Sequence, residues 1–325
     1  MNRWLFRLAL VCLGVTLLAG ATAFEASARN GQLVDSSVVT LKDNDVKQLE
    51  AANPEIRNVL KQVDLKTITY RSDGLKVKGY LAVPKQGNKL PCVIFNRGGN
   101  REFGALTDVR AAAMLGRVAS WGYVVAASQY RGNAGGEGKE EFGGKDVQDV
   151  LHLIPLLESL PQADVKRIGM YGWSRGGMMT YLALTKTDRI AAAVIGSGAA
   201  DAFDNIRRRP EMEKNVYAEL IPNYAENKEA ALAARSAVRW PQKLHKQTPI
   251  LLLHGSADWR IHPTEALTMA SKLYECKHPF RFVFFEGGEH GLNEHRDEVD
   301  RLTRDWLHRY VRDKKPWPSL EPHGP

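Results

Sequence analysis

The stretch that most limits how this chain can fold is Arg167-Ile168-Gly169-Met170-Tyr171-Gly172-Trp173-Ser174-Arg175-Gly176-Gly177. A short apolar run ends at Gly172, and a helical pattern, Met178 to Leu184, starts almost at once. The backbone therefore has to turn from strand to helix at Ser174. A turn that sharp holds its central residue in a strained conformation. The flanking glycines let strand and helix approach closely. Gly-x-Ser-x-Gly between a strand and a helix is the arrangement called the nucleophile elbow. The helix N-terminus then lies beneath the serine, where its free N–H groups favour developing negative charge. The pentapeptide alone is a weak signal; the strand before it and the helix after it make it informative.

The elements on either side fit the same plan. Thr67–Tyr70 and Val77–Val83 alternate across the turn Ser72-Asp73-Gly74, which predicts an antiparallel hairpin. Strands are expected at Pro91–Phe95, Tyr123–Ser128, Arg167–Tyr171, Ile190–Gly196, Ile250–His254 and Phe280–Phe285. Helical patterns fall between them at 110–120, 147–160, 178–184 and 264–275, and an amphipathic helix over 296–311 closes the series. Strands alternating with helices imply a doubly wound, mostly parallel α/β sheet with right-handed crossovers. The expected domain runs over 65–312, preceded by a helical lead-in at 30–64 and followed by a loose, proline-rich tail at 313–325. A charged helical excursion over 203–244 interrupts the rhythm, and its position next to the strand ends suits a cap or pocket wall.

The first residues belong to a different kind of segment. Met1 to Arg7 is short and basic, Leu8 to Leu18 is mostly apolar, and Ala19-Gly20-Ala21-Thr22-Ala23 is small. That is the pattern of a secretory signal peptide over 1–23, with a second small-x-small site ending at Ala28. The run barely approaches the roughly 20 apolar residues of a membrane span, so export without stable membrane insertion is expected. Loss of Arg3 and Arg7 would lower the net charge from +8 to about +6. The remaining positive residues are scattered, without the basic, aromatic-interleaved stripe of a nucleic-acid binder. Cys92 and Cys276 would remain; neither has metal-ligand spacing, and isolated thiols are the simpler expectation.

A serine hydroxyl becomes nucleophilic when a base takes its proton, and the base needs an anion to orient it. In an elbow fold these partners follow in the order Ser, acid, His, each on a loop after a strand. The loop Gly255-Ser256-Ala257-Asp258 follows one late strand, and Glu286-Gly287-Gly288-Glu289-His290-Gly291 follows the next. Ser174, Asp258 and His290 are the expected triad, with Asp201 or Asp204 as alternative acids and His295 as a neighbouring histidine. The oxyanion needs backbone donors. One is expected from the amide of Arg175. The other should come from the loop Asn96-Arg97-Gly98-Gly99-Asn100, where Gly99 is preferred to Gly98 without a decisive signal.

Residues 66–312 resemble the catalytic domain of the prolyl oligopeptidase family of α/β-hydrolases. The elbow Gly172 to Thr180, the segment His254 to Pro263, Glu289-His290-Gly291 and the glycine-rich Tyr130 to Gly138 carry the resemblance. It implies an α/β-hydrolase fold, acyl transfer through an acyl-enzyme, and no cofactor. The β-propeller that precedes this domain in the full-length peptidases has no room in this chain. Arg97 stands where some members carry an oxyanion tyrosine or histidine. The resemblance leaves a small ester or a short peptide as substrate, and the oligomeric state open. A hydrolase-fold binding protein without chemistry is the reading from a different class.

Overall fold

The computed structural model describes residues 29–324; the expected signal peptide lies outside them. Nine strands form one sheet: β1 (Leu33–Val38), β2 (Val63–Ser72), β3 (Leu75–Pro84), β4 (Leu90–Asn96), β5 (Val124–Ser128), β6 (Ala163–Trp173), β7 (Ile190–Gly196), β8 (Ile250–Gly255) and β9 (Phe280–Phe285). Their order is β1-β2-β3-β5-β4-β6-β7-β8-β9. The β2–β3 pair is antiparallel around Asp73-Gly74, and β3 joins β5 antiparallel. From β5 to β9 every pairing is parallel. This is the doubly wound, mostly parallel sheet that the alternation of strands and helices predicts, and the α/β-hydrolase architecture that the family resemblance implies.

Helices cover both faces of the sheet, so two buried clusters form, one on each side. Buried β-branched and alanine side chains fill β5 and β7 almost without interruption, as a two-sided parallel sheet requires. On one face the elbow helix Arg175–Leu184 is buried along its whole length. On the other, Val299, Trp306 and Leu307 of the closing helix Arg296–Leu307 pack beneath β6 to β8.

The lead-in differs from the sequence expectation. Helices Asp43–Ala52 and Ile56–Gln62 are present, but Leu33–Val38 is a strand that pairs antiparallel with β2. Its side chains are nearly all exposed, so it carries no apolar periodicity and takes its conformation from the edge it covers. The excursion after β7 is helical, in segments spanning 202–234. It is anchored by Tyr217, whose ring meets Phe142 edge-on at 5.2 Å. Among the described residues no helix is long and apolar enough to cross a membrane.

Strand order fixes where a site can form. From β4 the chain crosses to β5 on one side, whereas from β6 it crosses to β7 on the other. The loops leaving the C-terminal ends of β4 and β6 diverge there and open a crevice. The β4 loop begins at Arg97, and Ser174 follows β6.

Candidate active site

Ser174 has φ 59° and ψ −124°, a conformation that side-chain-bearing residues rarely adopt. Its amide donates to the Gly196 carbonyl at 2.9 Å, and its carbonyl accepts from Gly177 and Ala199. The surroundings dictate the flanking glycines. A Cβ on Gly172 would lie 2.1 Å from the Gly176 carbonyl oxygen, and one on Gly176 would lie 1.9 Å from that of Asn96. Asn96 Nδ2 donates to Thr180 Oγ1 at 2.9 Å, and that hydroxyl donates to the Gly176 carbonyl at 2.8 Å, which stitches β4 to the elbow helix.

His290 and Asp258 come together on the same edge of the sheet, with His290 Nδ1 2.8 Å from Asp258 Oδ2. The other carboxylate oxygen accepts the amides of Arg260 and Ile261 at 2.8 and 3.0 Å. Burial works against the charge on Asp258, but the His290 hydrogen bond and the Ile261 amide outweigh it and hold the carboxyl below its usual range. The anion is thus fixed in place and the imidazole tautomer is set, leaving Nε2 to accept a proton. The alternatives are engaged elsewhere. Asp201 caps the helix Ala202–Arg208, Asp204 pairs with Arg207 and Arg208, and the His295 ring packs at a tilt against Phe285.

Two contacts here were not legible in the sequence. The Trp173 indole N–H donates to the His290 carbonyl at 2.8 Å, so the residue before the serine holds the histidine loop. His254 is buried with Nε2 3.4 Å from Asp258 Oδ2 and 2.9 Å from the Ile261 carbonyl. Burial lowers its pKa, so it donates to this corner as a neutral ring. Ser174 and His290 are not hydrogen-bonded to each other; such contacts are often long at rest and tighten with substrate.

Gly98 abuts the serine: a Cβ there would lie 3.2 Å from Ser174 Cβ. Its carbonyl accepts from Arg97 Nη1 at 3.1 Å. In a trans peptide the next N–H points the opposite way, so the Gly99 amide faces away from Arg97 and takes part in none of the loop's hydrogen bonds. Gly99 itself has φ +70°, and a Cβ there would lie 1.9 Å from the Phe103 carbonyl oxygen. At Arg175, the first residue of the elbow helix, the amide also has no intrahelical partner. Arg97 is buried, its guanidinium bonded to the Gln129, Gly98 and Arg101 carbonyls, and burial pushes its pKa down to about 10. It therefore builds the loop from behind and does not stand in for a side-chain oxyanion donor.

Cys92 is buried in β4 and Cys276 half-buried at a helix end, and both are free. Among the described residues no group of three or more His, Cys, Asp or Glu side chains is arranged to hold a metal ion.

A strained serine on a strand–helix turn, with an Asp–His pair on neighbouring strand-end loops, defines a serine hydrolase of the α/β-hydrolase class. The chain belongs to the prolyl oligopeptidase family, whose domain it matches over residues 110–314. It is 31% identical over 248 residues to the Bacillus subtilis protein named uncharacterized peptidase YtmA, covering 75% of this chain and 93% of that one. With uncharacterized peptidase YuxL of the same organism it shares 26% identity, over 79% of this chain and 40% of the relative. The solved acylaminoacyl peptidase of Pyrococcus horikoshii superposes with a TM-score of 0.68 at 25% identity, covering 83% of this chain and 45% of that one. Relatives such as these last two are thus matched over less than half their length.

Proposed function

We propose that this chain is an exported serine peptidase of short peptides, with Ser174 as nucleophile, His290 as general base and Asp258 as its orienting anion. The observation that carries the reading is the 2.8 Å His290–Asp258 pair on the sheet edge that also presents Ser174 at φ 59°. Ser174 attacks the scissile carbonyl while His290 takes its proton. The amides of Arg175 and Gly99 hold the oxyanion, and His290 returns the proton to the leaving amine. Water then releases the acyl group by the same route. Relatives named as peptidases favour peptide over ester. Export rests on the basic, apolar and small-residue succession of residues 1–23.

Three measurements test these points. A fluorophosphonate probe should label Ser174 in the folded protein; absence of label at neutral and mildly alkaline pH would leave a binding protein. Aminoacyl and dipeptidyl anilides should be turned over; turnover of p-nitrophenyl acyl esters alone would make the chain an esterase. Sequencing the N-terminus of the mature protein should find Phe24 or Arg29, and an intact Met1 would refute export with cleavage.

A further inference from the structure

We infer that Arg175 builds the oxyanion site twice, supplying one donor through its backbone and positioning the loop that carries the other through its guanidinium. The inference rests on the reading of Ser174 as the nucleophile.

Position is the first argument. Arg175 opens the elbow helix, where the helix dipole disfavours a cation. Yet its side chain turns back into the protein and is 3% exposed. The guanidinium lies between the rings of Tyr130 and Phe142, 4.6 Å from each centroid. Nη2 donates to Asp146 at 2.6 Å, and Nη1 donates both to Glu140 and to the Gly99 carbonyl, the latter at 2.9 Å. Glu140 in turn accepts the Arg101 amide at 2.8 Å, and the Tyr130 hydroxyl donates to the Arg97 carbonyl at 2.9 Å. One buried cluster thus grips the loop 97–101 at both ends and at its centre. The Gly99 carbonyl fixes the peptide plane on one side of that residue, and the Gly98 carbonyl, held by Arg97, fixes the plane containing the Gly99 N–H.

Energetics is the second argument. A buried cation with two buried carboxylates gains little over a packed apolar cluster of the same volume, because desolvation offsets the attraction. Stability alone does not account for the cluster; a loop that has to hold an amide within a fraction of an ångström does.

The test compares Arg175→Met, Arg175→Lys and the charge-neutral triple variant Arg175→Met/Glu140→Gln/Asp146→Asn with the wild type. Readouts are kcat, KM and affinity for a peptidyl aldehyde, which needs the oxyanion site once Ser174 adds to it. End-point fluorophosphonate labelling reports the nucleophile independently. Arg175→Met leaves two buried carboxylates unpaired and is prone to unfold; the lysine variant retains a cation for them and the triple variant removes the charges together. In folded variants kcat should fall roughly 10²–10³-fold with KM nearly unchanged, and aldehyde affinity should fall by the same factor as kcat/KM. The lysine variant, which cannot reach all three acceptors, should lie between. Undiminished kcat in the folded lysine or triple variant overturns the inference, as does a loss of kcat that leaves aldehyde affinity intact. If the wild type itself takes no fluorophosphonate label, the underlying reading fails instead.

Discussion

Asp258 and His290 were readable as single letters because order and strand-end placement limit the choice, and the structure joins that pair at 2.8 Å. Ser174→Ala should abolish probe labelling and lower kcat on the order of 10⁶-fold. Asp258→Asn should cost roughly 10⁴-fold with the fold intact, since the imidazole loses the partner that sets its tautomer. Both are checked by turnover beside a thermal melt. What single letters could not tell is where the long side chains go. Trp173 and Arg175 looked like the variable positions of the elbow, yet each anchors a different loop. For Arg175 a signal was available: a cation at the start of a helix is unfavourable and calls for carboxylates nearby. Trp173 gave none, because an indole beside a nucleophile has no preferred partner in sequence.

For the elements, legibility followed burial. Strands packed on both faces, such as β4, β5 and β8, read as apolar runs, and their order followed from the alternation with helices. β1 falls within the stretch that the sequence predicts as a helical lead-in, because its exposed side chains leave no periodicity and pairing with β2 alone defines it. Removing residues 29–40 should therefore lower Tm by a few degrees and expose the β2 edge to aggregation while turnover is retained, measured by melting and light scattering. The indole link between the elbow and the histidine loop gives a second expectation at this scale. Trp173→Phe removes about one hydrogen bond, so stability should drop by roughly 1 kcal/mol. Misplacement of His290 should reduce kcat/KM by up to about 10²-fold. A drop in stability without a drop in rate would mean that the contact does not align the base.

Across the whole molecule, two buried groups tilt stability with pH in opposite directions. Burial pushes His278 down to about 4, against an unfolded value near 6.5. Between those values the unfolded chain binds the extra proton, so stability rises with pH and is lost on acidification. Burial pushes Glu265 up to about 8, against an unfolded value near 4.5, although the Ala200 and Asp201 amides partly offset it. Here the folded chain binds the extra proton, and stability falls as pH rises from 4.5 to 8. Glu265→Gln keeps an acceptor for both amides, so its Tm should gain on the wild type progressively between pH 6.5 and 8, and parallel curves would contradict the shift. The sheet order has a further consequence, one of timescale. Ser174, the proposed nucleophile, follows the interior strand β6, whereas Asp258 and His290, its proposed partners, follow β8 and the edge strand β9, whose side chains are only partly buried. Edge segments open more often than central ones. On warming, amide exchange should accelerate first in β9, and activity should fade reversibly while the serine still sits in an intact cradle.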